Sequence, residues 1–253
     1  PLPLSRYPYT WLHGWAARTF AISHEDRVAY LMVPKAGSSS IRRALVRDFH
    51  VRLNKRHPQR LGGIMDANRL PVHEAKPDLG WMPAYYKFSF FVDPASHLVG
   101  GVCEVNMLRC TRAVATGRVE AALAGKFEKR VWNIRDALRG NYSGDLDMHL
   151  APQLFLLRAA GATGLRLDFL ARLSGASWGD LREDMAARGF PAPGPLPRVH
   201  AKSYSSLVPA VFAAMRPETR AAACAIVREE HLALGLPAGP GHVCGALPGV
   251  GGE

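Results

Sequence analysis

Two short apolar runs stand out from the hydrophobic pattern of this chain. Val28-Ala-Tyr-Leu-Met-Val33 is bounded by charge before it and by Pro34 after it, which suits a buried parallel strand. Tyr85-Tyr-Lys-Phe-Ser-Phe-Phe-Val92 predicts a second strand, stopped by Asp93-Pro94. Between and after them, apolar residues recur at helical spacing. Ile41, Ala44, Leu45 and Phe49 mark a helix over 41–50, with the serines before it available as caps. Residues 95–110 are helical on one face, and Val119, Leu123, Phe127, Val131, Ile134 and Leu138 mark another helix over 118–139. Pro152 fits the first turn of a helix, Leu165–Leu170 reads as a short strand, and Pro217 opens a last helix to Leu234. Four prolines make 189–197 a loop.

Strand, tight loop, helix, then strand and helix again predicts an α/β fold: a single domain with a mostly parallel central sheet flanked by helices. Residues 1–25 read as an N-terminal arm rich in proline and aromatic rings, 26–236 as the domain, and 237–253 as a Gly/Pro-rich C-terminal tail with little to hold it.

Composition narrows the function classes only a little. Of 253 residues, 32 are basic and 21 acidic, a formal net charge of +11 carried mostly by arginine, and the field this creates attracts anionic partners of many kinds. Arg42, Arg43, Arg47, Arg52, Lys55, Arg56 and Arg60 form the densest basic stretch, yet no nucleic-acid-binding signature accompanies them, so a nucleic-acid partner is disfavoured. No run approaches 18 apolar residues, so no transmembrane span is expected. The first residues lack a secretory pattern and an initiator methionine, as in a processed or truncated product. Cys103, Cys110, Cys224 and Cys244 lack zinc-site spacing and read as unpaired residues, with one bridge such as Cys103 to Cys110 as the alternative. No metal ligand is assigned.

The strongest chemical signal is Val33-Pro-Lys-Ala-Gly-Ser-Ser-Ser40, running from the first strand into a helix. Backbone amides of such a loop converge on one small volume, and the helix start favours an anion there. Pro34, Lys35, Ala36, Gly37, Ser38, Ser39 and Ser40 are the candidate binding residues, with Lys35 supplying a full charge. The nucleotide triphosphatase pattern is absent.

PKAGSSS resembles the 5'-phosphosulfate loop of the sulfotransferases that use the donor PAPS, particularly the carbohydrate (Golgi-type) enzymes. Phe88–Gly100 resembles their second strand phrase, with Asp93 and Pro94 in agreement, and Asp147-Met-His149, Pro152-Gln153, His200–Ser203 and Glu230–Gly235 resemble later elements. The resemblance implies a P-loop-like sulfotransferase fold, a donor site that also uses His97, Lys202 and Ser203, and, if the enzyme is active, catalysis by Lys35 with His73 as base. His149 is the weaker candidate for that base. The 3'-phosphate motif is degenerate: Val92 stands where an arginine is expected, His97 replaces a second arginine and Gly100 replaces a serine. Losing those bonds would cost roughly 3 kcal/mol, a factor on the order of 100 in donor affinity, unless Arg109 or Arg112 compensates.

Two readings follow. In one, the chain is a non-catalytic, sulfotransferase-like structural or accessory subunit of a larger assembly, with protein partners and no cofactor; the lost arginine and serine, the aromatic arm and the tail all favour it. In the other it transfers a sulfuryl group from PAPS to a carbohydrate hydroxyl, by in-line displacement, leaving PAP. An acidic carbohydrate is then a partner. The first reading fits an organelle reached after removal of a targeting segment, the second the Golgi lumen.

Overall fold

A computed structural model describes residues 20–23, 25–49, 84–139, 151–154, 156–157, 166–197, 204–236 and 242–245. These fall into two compact units, one built from the described residues up to Val92 together with 156–197, the other from 93–154 and 204–245.

The first unit holds the sheet. Strands β1 (Phe20–Ser23), β2 (Val28–Leu31), β3 (Tyr86–Phe91) and β4 (Phe169–Arg172) lie side by side in that order. β1 and β2 form an antiparallel hairpin, Ser23 opposite Val28, closed by the Ser23 and Asp26 side chains and by a left-handed Arg27. β2 to β3 and β3 to β4 are parallel, with Tyr30 opposite Phe88 and Phe88 opposite Phe169. Every residue of β2 and β3 is buried, as expected of parallel strands covered on both faces. The Tyr30 and Phe88 rings stack at 5.1 Å, and Phe90 meets Phe169 and Trp178 at 5.8 Å each.

Helix α1 (Ser38–Asp48) follows β2 and buries Ile41, Ala44 and Leu45. Helix α5 (Gly175–Ala187) follows β4, starts in a Ser174–Ser177 capping box and buries Trp178, Leu181 and Met185. The proline-rich loop after it is pinned at several points. Trp178 Nε1 donates to Gly194 O at 3.0 Å, Arg182 Nε to Pro193 O at 2.7 Å, and Gly194 N to Asp48 Oδ2 at 2.9 Å.

The second unit is helical: α2 (Pro94–Val105), α3 (Met107–Thr116), α4 (Ala121–Leu138), a 3-10 turn (Tyr204–Leu207), α6 (Val208–Ala214) and α7 (Pro217–Ala233). Asp93 caps α2 by accepting from Ser96 N at 2.8 Å, and Pro94 takes the first helical position. Val99, Val102, Phe127, Val131, Phe212 and Val227 are among its buried residues. Arg216, before α7, binds Glu128 of α4 through its backbone at 2.7 Å and its guanidinium at 2.8 Å. Two disulfides brace this unit, Cys103–Cys110 and Cys224–Cys244, so the expectation of unpaired thiols does not hold.

The expected architecture is also corrected. Among the described residues, seven α-helices face four strands of only four to six residues, three of them parallel in a small open sheet. This is a mostly helical fold, not the sheet-dominated, P-loop-like sulfotransferase fold of a single α/β domain, and the sulfotransferase and PAPS vocabulary drawn from that fold falls with it. The apolar pattern found β2 and β3 but made each a little too long, placed the later strand at 165–170 where β4 runs Phe169–Arg172, and missed β1, which lies within the expected arm. Pro34 and Pro94 follow close on β2 and β3, and alanine-rich stretches such as Ala221–Ala225 favour helix among the other described residues.

Candidate functional site

Residues 32–37 join β2 to α1, giving the strand–loop–helix order that the pattern predicts. Lys35 and Gly37 both have left-handed backbones, with φ of 66° and 70°. For Lys35 that conformation is strained, and glycine is the residue that adopts it freely. Gly37 itself caps α1 without any side-chain capping bond, so the expected serine cap is absent and Ser38–Ser40 form the first turn instead.

Part of the loop packs into an apolar cluster. Val33, Ala36 and Leu156 are buried together, and Val92 and Leu157 pack against them. Leu173, placed just past β4 by its backbone bond to Phe91 O at 2.8 Å, lays its side chain on Gly37, in the space where a Cβ would stand. The close approach that Gly37 permits is thus taken by a leucine of the same unit. Arg42 is partly buried one turn into α1 and donates to Ser38 O at 3.3 Å; burial lowers its pKa. Arg47 is engaged with Asp48 and with Pro195 O at 2.9 Å.

Of the other predicted site residues, His97 is a buried residue of α2 in the helical unit, its amide bonded to Asp93 O at 2.9 Å. His73, His149, Lys202 and Ser203 lie outside the described residues. Arg109 and Arg112 are exposed on α3, where Arg112 approaches Glu120 at 3.5 Å.

The helical unit holds a second constellation that sequence reasoning did not assemble. Asp93, His231 and His242 place one ligand-type atom each within 4.8 Å of one another. Asp93 Oδ2 lies 3.4 Å from His231 Nε2 and 3.9 Å from His242 Nε2, and the two imidazole rings meet edge to face at 4.7 Å. His231 is buried on α7, and neither of its ring nitrogens has a hydrogen-bond partner. His242 comes from the chain beyond α7, fixed there by the Cys224–Cys244 bridge and by Arg228 Nη2 donating to Cys244 O at 2.6 Å. Burial, with His231 and Arg228 beside it, lowers the pKa of His242 despite the opposing carboxylate of Asp93. Next to His231, Glu230 is buried and accepts from Leu154 N at 2.8 Å; burial raises its pKa to about 8. The signal available in the sequence was His242-Val-Cys244 together with Cys224 on α7, legible only once the bridge is known.

One exposed surface is notable in the same unit. On α3 only Cys110 and Ala113 are buried, while Met107 is 49% exposed, Leu108 88% and Val114 44%. The Cys103–Cys110 bridge fastens this helix to α2. No family model, curated protein or solved structure matches the chain. Among the described residues, no helix is long and apolar enough to cross a membrane.

Proposed function

We propose that this chain is a non-catalytic structural or accessory subunit of a larger protein assembly, docked through α3. The observation that carries this reading is Leu108, 88% exposed between Met107 and Arg109 on a helix held rigid by a disulfide. A large apolar side chain in water favours burial against a partner at about 25 cal/mol per Å² of apolar area removed, and Met107 and Val114, which share a different face of the same helix, add further exposed apolar area. Pinning α3 by the bridge lowers the ordering cost of docking. Arg109, Arg112 and Arg118 around the ridge favour an acidic rim on that partner.

The loop at Pro34–Ser40 supports the same reading from the other side. An anion cradle needs polar groups facing an open volume, and here Leu173 fills the approach to Gly37 while Val92 joins an apolar cluster.

The test is the mass of the endogenous particle. Native chain, tagged at its own locus, should elute well above the mass that it shows under denaturing conditions, and a Leu108→Asp variant should elute as monomer with unchanged circular dichroism. A wild-type chain eluting as monomer overturns the proposal. So does micromolar calorimetric binding of adenosine 3',5'-bisphosphate that is lost in Lys35→Ala.

A further inference from the structure

We propose that Asp93, His231 and His242 bind a divalent first-row transition ion, with zinc the best fit, through Asp93 Oδ2 and one imidazole nitrogen from each histidine. A tetrahedral zinc with bonds of about 2.0–2.1 Å sets its ligand atoms about 3.3–3.4 Å apart. The distances from Asp93 Oδ2, 3.4 Å to His231 Nε2 and 3.9 Å to His242 Nε2, lie near that spacing, and with all three ligand atoms within 4.8 Å of one another the histidines must draw together on loading. Two imidazoles and a carboxylate form a donor set of the borderline-soft kind that zinc accepts, leaving a fourth position for water.

The decisive feature is His231. It is 4% exposed, yet neither ring nitrogen makes a well-formed hydrogen bond, Nε2 having only the 3.4 Å approach of Asp93 Oδ2, an arrangement that burial disfavours. A metal on Nε2 answers half of that deficit. His242 Nε2 is likewise buried without a partner. Asp93 is already oriented for the task, because its Oδ1 accepts from Ser96 N at 2.8 Å and leaves Oδ2 turned to the histidines. Part of the site reaches solvent through the Asp93 side chain, 23% exposed, and that of His242, 12% exposed, which gives an ion an entry path.

One local bond changes on loading. Cys244 N donates to His242 Nδ1 at 3.2 Å, which keeps the neutral ring's proton on Nε2. Ion uptake moves that proton to Nδ1 and releases this long bond. The Cys224–Cys244 bridge then holds His242 in place, so oxidation of the two cysteines assembles the third ligand.

The experiment uses the full, untagged, oxidised chain, stripped with chelator and titrated with ZnCl2 by calorimetry and with CoCl2 by visible spectroscopy. One equivalent of zinc should bind, and cobalt should give the d–d bands of a tetrahedral nitrogen and oxygen site without thiolate charge transfer. His242→Ala, on a partly exposed position, should keep the wild-type near-ultraviolet circular dichroism. It should lose more than the roughly 10- to 100-fold in affinity that removal of an outer-shell partner costs. No zinc binding by the folded wild type, equal binding by His242→Ala, or a thiolate band with cobalt each overturns the assignment.

Discussion

Leu173 occupies the place that a side chain on Gly37 would need, so the loop between β2 and α1 is closed by a contact inside its own unit. Gly37 also holds φ at 70°, a conformation costly for any other L-residue. Gly37→Ala should therefore destabilise the fold by about 2–4 kcal/mol, from backbone strain and overpacking together. Leu173→Ala removes the clash but not the strain. Urea denaturation of the two single variants and the double should show a favourable coupling of about 1 kcal/mol, whereas strictly additive losses would mean that Leu173 does not rest on Gly37.

A buried cation gives the second prediction. Lys87 is 6% exposed in the middle of β3, and its ammonium pairs with Asp168 at 2.9 Å and donates to Tyr85 O at 2.6 Å. Asp168 also accepts from Lys87 N at 2.8 Å, bridging strand backbone and side chain. Asp168→Asn retains the amide contact and removes the countercharge. A loss of about 1–2 kcal/mol is expected, between a surface pair and a fully buried one, because Asp168 is 28% exposed and Lys87 keeps its bond to Tyr85 O. Lys87→Met in the Asp168→Asn background should restore much of it, and denaturation curves of the set decide.

How far the sequence foretold this structure depends on the range of the contact. β2, β3, α1, α4 and α7 were legible, since each carries a local signal over one continuous stretch: an apolar run in the strands, a helical apolar period in α1 and α4, and Pro217 in the first turn of α7. Residues 95–110 gave a helix, but the break at Asn106 into α2 and α3 was not visible in the apolar pattern. Helix α5 went unread because its buried face mixes Ser177 with Trp178, Leu181 and Met185. At the site, the loop at Pro34–Ser40 was found by local pattern, while the leucine packed on Gly37 arrives from just past β4, far along the chain. The Asp93, His231 and His242 cluster depends on the Cys224–Cys244 bridge, and bridge connectivity is not a property of cysteine spacing alone.

Asp48 sets an acid limit on the sheet unit. Its hydrogen bond with Arg47 is the largest cause of a lowered pKa, and the Gly194 amide adds to it. With the folded value below the ordinary 3.8, the unfolded chain binds the proton first as pH falls. The stabilisation is complete above the unfolded value and is lost as pH drops below about 3.8 through the folded one. Asp48→Asn should lower the melting temperature at pH 6 and flatten its dependence between pH 5 and roughly 2.5, a range set by the usual carboxylate titration. A wild-type melting profile parallel to that of the variant across this interval would remove Asp48 from the account.

The two disulfides make separable contributions. Cys103–Cys110 spans seven residues and Cys224–Cys244 spans twenty, so chain entropy assigns them about 2.5 and about 3.3 kcal/mol respectively. Cys224→Ser with Cys244→Ser should therefore destabilise the chain more than the Cys103/Cys110 double variant. It should also release the segment carrying His242, lowering zinc affinity even at temperatures where the fold is intact. Non-reducing peptide mapping should first recover both crosslinked pairs and no free thiol. If the Cys224/Cys244 variant bound zinc as tightly as wild type while folded, the bridge would be a brace for stability and not for the metal site. If the Cys103/Cys110 variant lost zinc affinity equally, the unit would be softening as a whole, and the link between that one bridge and His242 would fail.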